Sequence, residues 1–198
     1  MDVGQRNVQI SDQYEIIGMA GVNYLPLKKS SSDTYRVVLC RLDGLGRDNT
    51  NLHYDIDDAF TDHYRFITQQ LPFAEFDGRD RVTTLMQNWQ GKATTEIIDN
   101  IFSSIDPDAG AFTLESISVE NGYLYGEVKL ANSIVGTNLS MMLNHPRPDQ
   151  AAMIFGVRYL SVNTRLDGLQ YADVKKICAY DVNVVSETEL TQRRNGVK

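Results

Sequence analysis

Cysteine, histidine and long runs of one character are all scarce in this chain, and each shortage removes a class of function. Its 198 residues include two cysteines, Cys40 and Cys178, both set in apolar, strand-like runs. They are too few for a disulfide framework and too far apart for a thiolate metal site. Two buried free thiols are expected, as in a reducing, intracellular protein. The three histidines have no cysteine or second histidine at ligand spacing, so neither a metal nor a cofactor is expected. Basic residues form no long run, only pairs such as Arg193-Arg194, and the formal net charge is −7. Direct nucleic-acid binding is not expected, because its affinity rests on neutralising phosphates. No apolar stretch is long enough to span a bilayer, and Met1-Asp2-Val3-Gly4-Gln5 does not open a secretory signal, so no membrane is expected. The glycines of 43–51 lack both the Lys-Ser/Thr of a P-loop and the dinucleotide spacing. That stretch reads as turn chemistry throughout.

What is present suits one globular domain. Hydrophobic residues make up 42% and charged residues 23%, which is enough for a real core. No internal repeat and no linker interrupts the chain. A polar N-terminal arm is expected over 1–13, a single domain over 14–185 and a polar C-terminal tail over 186–198. Strands are expected over Tyr14 to Leu25, broken near Gly18 or Gly21, and over Tyr35 to Leu42. Asp55 is a helix N-cap, and Ile56, Phe60, His63 or Tyr64, Ile67 and Leu71 recur at helical spacing behind it. His63 lies near the apolar edge of that helix, where a lone histidine serves structure. Val82, Leu85, Met86 and Trp89 suggest a second helix. Thr94 to Ser104 gives a third, with Ile97, Ile98, Ile101 and Phe102 on one stripe.

The most legible stretch is Phe112 to Leu130. Asn121-Gly122 between two β-prone runs signals a type I′ hairpin, since that turn needs φ > 0 at both central residues. A two-residue loop sets Glu120 opposite Tyr123, Val119 opposite Leu124, Ile117 opposite Gly126 and Glu115 opposite Val128. Ile117, Val119, Leu124 and Val128 then share one face, where Gly126 leaves room for something packed over the sheet. Tyr123, Tyr125, Glu127 and Lys129 take the wetter one. Gly136 to Leu143 reads as a short helix, followed by a proline-stiffened loop over 144–149. Ala151 to Val162 is a nearly continuous apolar run, as in a strand covered on both faces. Asp173 to Val185 is another long strand, with Val174, Cys178, Tyr180, Val182 and Val184 on one face and Lys175, Asp181 and Asn183 on the other.

In that order, several segments resemble one family. Asn49-Thr-Asn51-Leu-His-Tyr54, followed by a helix, is similar to the Asn-x-Asn-x-Arg-x-Tyr segment of the prohead proteases of T4-type tailed phages, one residue short of it. Ala74-Glu-Phe-Asp-Gly-Arg79 stands where that family has Gly-Glu-Leu-x-His-Pro with its catalytic histidine. The hairpin Asn121-Gly-Tyr-Leu-Tyr-Gly-Glu-Val-Lys-Leu130 and Gly136-Thr-Asn-Leu139 match the next two motifs. Gly156-Val-Arg-Tyr-Leu160 matches the Gly-Val/Ile-Ser-x-Arg strand that carries the nucleophile, and Tyr180-Asp181-Val182 echoes the Asp-hydrophobic pair of the last strand. The resemblance covers 35 to 185. It implies a fold similar to herpesvirus assemblin, α+β and single-domain, with a distorted antiparallel β-barrel flanked by helices.

The same alignment puts Gly78 at the histidine position and Arg158 at the serine position. Glycine has no proton-accepting group, and a guanidinium cannot attack a carbonyl, so no catalytic residue is expected. The resemblance thus implies a structural virion protein of a tailed phage, a protease-like fold without the protease. It would be present in multiple copies in a large assembly, in contact with other virion proteins. The head is favoured over the connector, tail or baseplate, and the segments 1–13 and 186–198 are the expected contact sites. The alternative is an active serine-type maturation protease with shifted residues. Leu143-Asn144-His145-Pro146 spells the family's histidine motif, and Ser140 lies five residues before His145. That arrangement would place the hairpin before the base, against the family's order, and no third orienting group is evident.

Overall fold

The computed structural model describes residues 8–11, 14–16, 20–21, 28–29, 34–45, 51–88, 94–144, 152–166 and 169–185. The strands β1 (Val8–Ser11), β2 (Tyr14–Ile16), β3 (Ala20–Gly21) and β4 (Lys28–Lys29) come first, then β5 (Thr34–Arg41), β6 (Asp43–Leu45) and β7 (Asn51–Tyr54). Next come α1 (Ile56–Gln69), β8 (Ala74–Phe76), α2 (Gly78–Asn88) and α3 (Thr95–Ser103). The hairpin strands β9 (Gly110–Glu120) and β10 (Tyr123–Leu130), then α4 (Ile134–Asn144), β11 (Ala152–Leu166) and β12 (Leu169–Val185) complete the order. Four residues of the expected N-terminal arm are therefore strand, paired with β2. Trp89, the loop after Asn144 and the tail over 186–198 lie outside the described residues.

The hairpin turns as its sequence dictates. Asn121 and Gly122 have φ of 52° and 76°, and Glu120, Val119, Ser118 and Ile117 face Tyr123, Leu124, Tyr125 and Gly126. Beyond Glu127 the expected register slips by one residue, so that Leu114, not Glu115, faces Val128. The cause is a bulge. Strict alternation from Ile117 would carry the Glu115 carboxylate into the core; the extra residue turns Leu114 inward instead. Glu115 stays exposed, 3.3 Å from the Lys129 Nζ. The room left by Gly126 is filled by Leu39 and Leu114, whose methyls would lie 2.9 Å from a Cβ at that position.

All strands among the described residues belong to one sheet. Its path runs β1-β2-β11-β12-β8-β9-β10-β5-β4, with β3 on β11 and the β6–β7 pair joined to β12 through β7. β12 runs parallel to β7 and β8, so the sheet is mixed where an antiparallel one was expected. No described pairing joins β4 back to β1, and the path is open where a barrel was expected. The strands β6 and β7 also correct the reading of 43–51 as turn throughout. Pairing along β12 overrides local turn preference there.

Helices α1 and α3 start from local signals. The Asp55 carboxylate accepts from the amides of Asp57 and Asp58, and the Thr94 hydroxyl accepts from Ile97. The buried face of α1 is only in part the expected stripe, of which His63 is buried and Ile67 packs against the core. Ala59, His63 and Phe66 are buried, while Ile56, Phe60, Tyr64 and Leu71 are exposed. The helix docks through its smallest apolar residue, which lets it approach the sheet closely.

β11 and β12 separate two cores. On one side lies the main core, with Leu39, Phe73, Phe112, Leu124, Phe155, Tyr159 and Tyr180. On the other, Leu160 and Cys178 pack with Val82, Ile98, Ile101 and Phe102 from α2 and α3. Cys178 therefore does not share a face with Tyr180, as expected from alternation. A bulge between Ala179 and Ile177 in the pairing to β11 moves it across. Both cysteines are buried and free. Gly122→Ala places a Cβ at φ 76° with no steric neighbour; urea unfolding should show a loss of about 1 kcal/mol, the left-handed backbone cost alone.

Candidate functional site

Strand register gathers an ionic cluster on the α2/α3 side of the sheet. The parallel pairing of β8 with β12 sets Glu75 beside Asp181. In the antiparallel pairing of β11 with β12, Arg158 faces Ala179, two residues from Asp181 and on the same side. Three strands thus carry Glu75, Asp181 and Arg158 onto one face, and all three are buried. Asp181 is not on a solvent-facing edge of its strand but at the centre of this layer.

The contacts account for the charges. The Arg158 Nε donates to the Asp181 Oδ1 at 3.0 Å, and its Nη2 donates to the same oxygen and to the Glu75 Oε2 at 3.0 Å. Its Nη1 donates to the Ser104 carbonyl at 2.9 Å. Arg81, one turn into α2, grips Glu75 with Nε and Nη2, each at 2.6 Å, and donates to the Ser104 carbonyl at 2.7 Å. Two guanidinium groups and two carboxylates leave no net charge. α3 has no basic residue in its last turn, and these arginines supply cations beside the carbonyl that follows it. Burial pulls the Glu75 carboxyl pKa up, but the hydrogen bonds from Arg81 and Arg158 outweigh it and leave the group below its ordinary value. Burial likewise works against the charged Arg158. Asp181 and then Glu75 outweigh that and raise its pKa.

Gly78 opens α2 directly over this cluster. A Cβ at that residue would fall on the Arg158 guanidinium, 2.6 Å from an Asp181 oxygen and 2.7 Å from the Glu75 carboxyl carbon. The positions singled out as Gly78 and Arg158 are therefore neighbours in space, although 80 positions apart, and Asp181 stands with them. Sequence reasoning missed that Glu75 and Asp181 would be the partners of Arg158, and Arg81 a second partner of Glu75. The Glu75 segment matched to the family's Gly-Glu-Leu-x-His-Pro motif and the Asp-hydrophobic pair at 181 were the signals, but neither discloses a shared face.

A hydroxyl lies at the cluster, that of Ser104. It donates to the Ile101 carbonyl at 2.7 Å and accepts from the Arg81 Nη1 at 3.2 Å. No described histidine reaches it. His53 is exposed on β7, and His63 lies in the other core. Ser140 sits half-buried on α4, and His145 is outside the described residues.

His63 is fully committed to packing. Its Nδ1 lies 2.6 Å from the Ala59 carbonyl, which can only accept, so that nitrogen carries the proton. Its Nε2 accepts from the Tyr180 hydroxyl at 2.5 Å. The Tyr180 oxygen in turn is hydrogen-bonded to the Cys40 thiol. Burial holds the group neutral, pushing His63 down to about 4 and Cys40 up to about 12. A thiol so held is not a nucleophile.

No family model and no curated protein matches the chain by sequence. A solved structure of the bacteriophage T4 capsid assembly protease, gp21, does match in shape, with a TM-score of 0.50. In fold, this chain is similar to that protease. The likeness covers 86% of this chain and 92% of the other, at 12% sequence identity.

Two outcomes follow from the buried groups. Arg158→Met leaves two carboxylates together on a dry face, and urea unfolding should show a loss of about 3 to 5 kcal/mol. Adding Glu75→Gln and Asp181→Asn should recover a large part of it. The second concerns pH. The folded His63 titrates near 4, below the ordinary 6.5. Between those values the unfolded chain holds a proton that the folded chain refuses, so stability falls as pH falls. From pH 7 to 4.5 this amounts to about 2 to 3 kcal/mol, and the pH dependence measured for His63→Gln should be smaller by that amount. The depressed Glu75 acts below pH 4.5, where its stabilising contribution is lost as the carboxylate is protonated.

Proposed function

We propose that this chain is a catalytically inert, protease-like structural protein of a tailed-phage particle, acting through contacts with other virion proteins. The observation that carries the reading is the guanidinium of Arg158 standing where any side chain at residue 78 would have to go, locked by Glu75 and Asp181. Acyl transfer by a serine needs a hydroxyl, a base within hydrogen-bond reach and an opening for substrate. At this place Arg158 and Arg81 are held by Glu75 and Asp181, and neither residue 78 nor residue 158 can supply a nucleophile or a base. The shape likeness to a capsid assembly protease supports a phage setting and, within it, the head; a connector, tail or baseplate position would leave the same chemistry.

The competing reading is an active maturation protease that uses Ser140 and His145. Purified protein would be incubated with phage scaffold and capsid proteins, beside Ser140→Ala and His145→Ala variants, and with a fluorophosphonate label for activated serines. The inert reading expects no cleavage and no labelling from any of the three. Cleavage or labelling by the wild type that either substitution abolishes would overturn it.

A further inference from the structure

Helix α1 carries more apolar surface than the core covers. At about 100° per residue, Ala59, His63 and Phe66 occupy one arc, and the apolar arc then continues past it. Ile56, Phe60 and Tyr64, spaced four residues apart, form that continuation as a stripe along two turns. They are 46%, 42% and 64% exposed, and Leu71, just beyond the helix, is 61% exposed. Large apolar side chains in a row on a surface mark an interaction site more often than isolated ones do.

Charge narrows the occupant. Asp57, three residues before Phe60, is exposed at the edge of that stripe, next to the capping Asp55, while Asp58 is exposed on the far side of the helix. The helix has one basic residue, Arg65, and its Nη2 is turned away to the carbonyls of Ile177 and Cys178, at 2.5 Å and 2.9 Å. A second copy of this helix would bring more carboxylates and no available cation. A segment with lysine or arginine beside apolar anchors would complement both features.

We propose that the exposed flank of α1 docks a basic amphipathic segment of another protein. Its apolar side chains lie on Ile56, Phe60 and Tyr64, and a lysine or arginine stands opposite Asp57. The proposal is independent of the catalytic reading, because none of these residues belongs to the ionic cluster.

The probe is a fluorescein-labelled helical peptide of leucine and lysine, leucines on one face, titrated against the full chain by fluorescence anisotropy. Its leucine–glutamate counterpart is titrated in parallel. The wild type should bind the lysine peptide and not the glutamate one. Affinity should drop at least about tenfold in Phe60→Ser/Tyr64→Ser and about twofold to fivefold in Asp57→Asn. Tyr64→Ser alone, at the most exposed position, should weaken binding without disturbing packing, with the thermal unfolding midpoint as the check. Equal binding by wild type and Tyr64→Ser would overturn the stripe as the contact. A concentration-dependent dimer in sedimentation, lost in Tyr64→Ser, would overturn the choice of partner in favour of a second copy.

Discussion

Two carboxylates side by side on the dry face of a sheet stay ionised only if a cation lies between them. The parallel register of β8 and β12 puts Glu75 and Asp181 in that relation, and Arg158 from β11 provides the cation. Taking each ion out of water costs several kcal/mol, which only close pairing and complete hydrogen bonding offset. That requirement propagates outward. The remaining Arg158 donors reach the Ser104 carbonyl after α3, and Arg81 must lie one turn into α2 to complete Glu75. The helical layer over β11 and β12 is positioned by charge as much as by its apolar contacts. Gly78 follows from the same constraint, since the guanidinium takes the space a side chain would need.

The opposite face of the same strands relies on hydrogen bonds more than on ion pairs. Tyr180, next to Asp181 in sequence, points the other way and joins neutral His63 to the Cys40 thiol. Asp62, one residue before His63, accepts from the Tyr54 hydroxyl and the Ile177 amide, both at 2.7 Å. Burial raises its pKa in spite of those bonds. Alternation along β12 thus sends an ionic layer to α2 and α3 and a layer of hydrogen bonds, around neutral His63, to α1. Both hold helices to the sheet, and in both the polar groups are spent on structure, which suits the proposed role of a scaffold that retains a protease-like shape.

Much of the fold was legible because its signals are local. The Asn121-Gly122 turn, the Asp55 and Thr94 caps and the continuous apolar run of β11 each act within a few residues, and each produced the expected element. The errors share a different cause. The bulge at Glu115, the rotation of α1 onto Ala59 and the crossing of Cys178 to the other core depend on what packs opposite. The strand at 51–54 depends on a partner more than a hundred residues away. In the site, positions 78 and 158 could be singled out by resemblance, but their partners could not, because strand order and register decide which side chains share a face.

The sequence alone determined the hairpin, the starts of α1 and α3 and the absence of nucleophile and base at residues 78 and 158, since these rest on residue chemistry and near-neighbour geometry. Only the tertiary structure decided that Gly78, Arg158, Asp181 and Glu75 meet, that the sheet is mixed and open, and that Ile56, Phe60 and Tyr64 face outward. Those outcomes depend on pairings between segments far apart in the chain, and the free energy of such pairings appears only once the partners are in place.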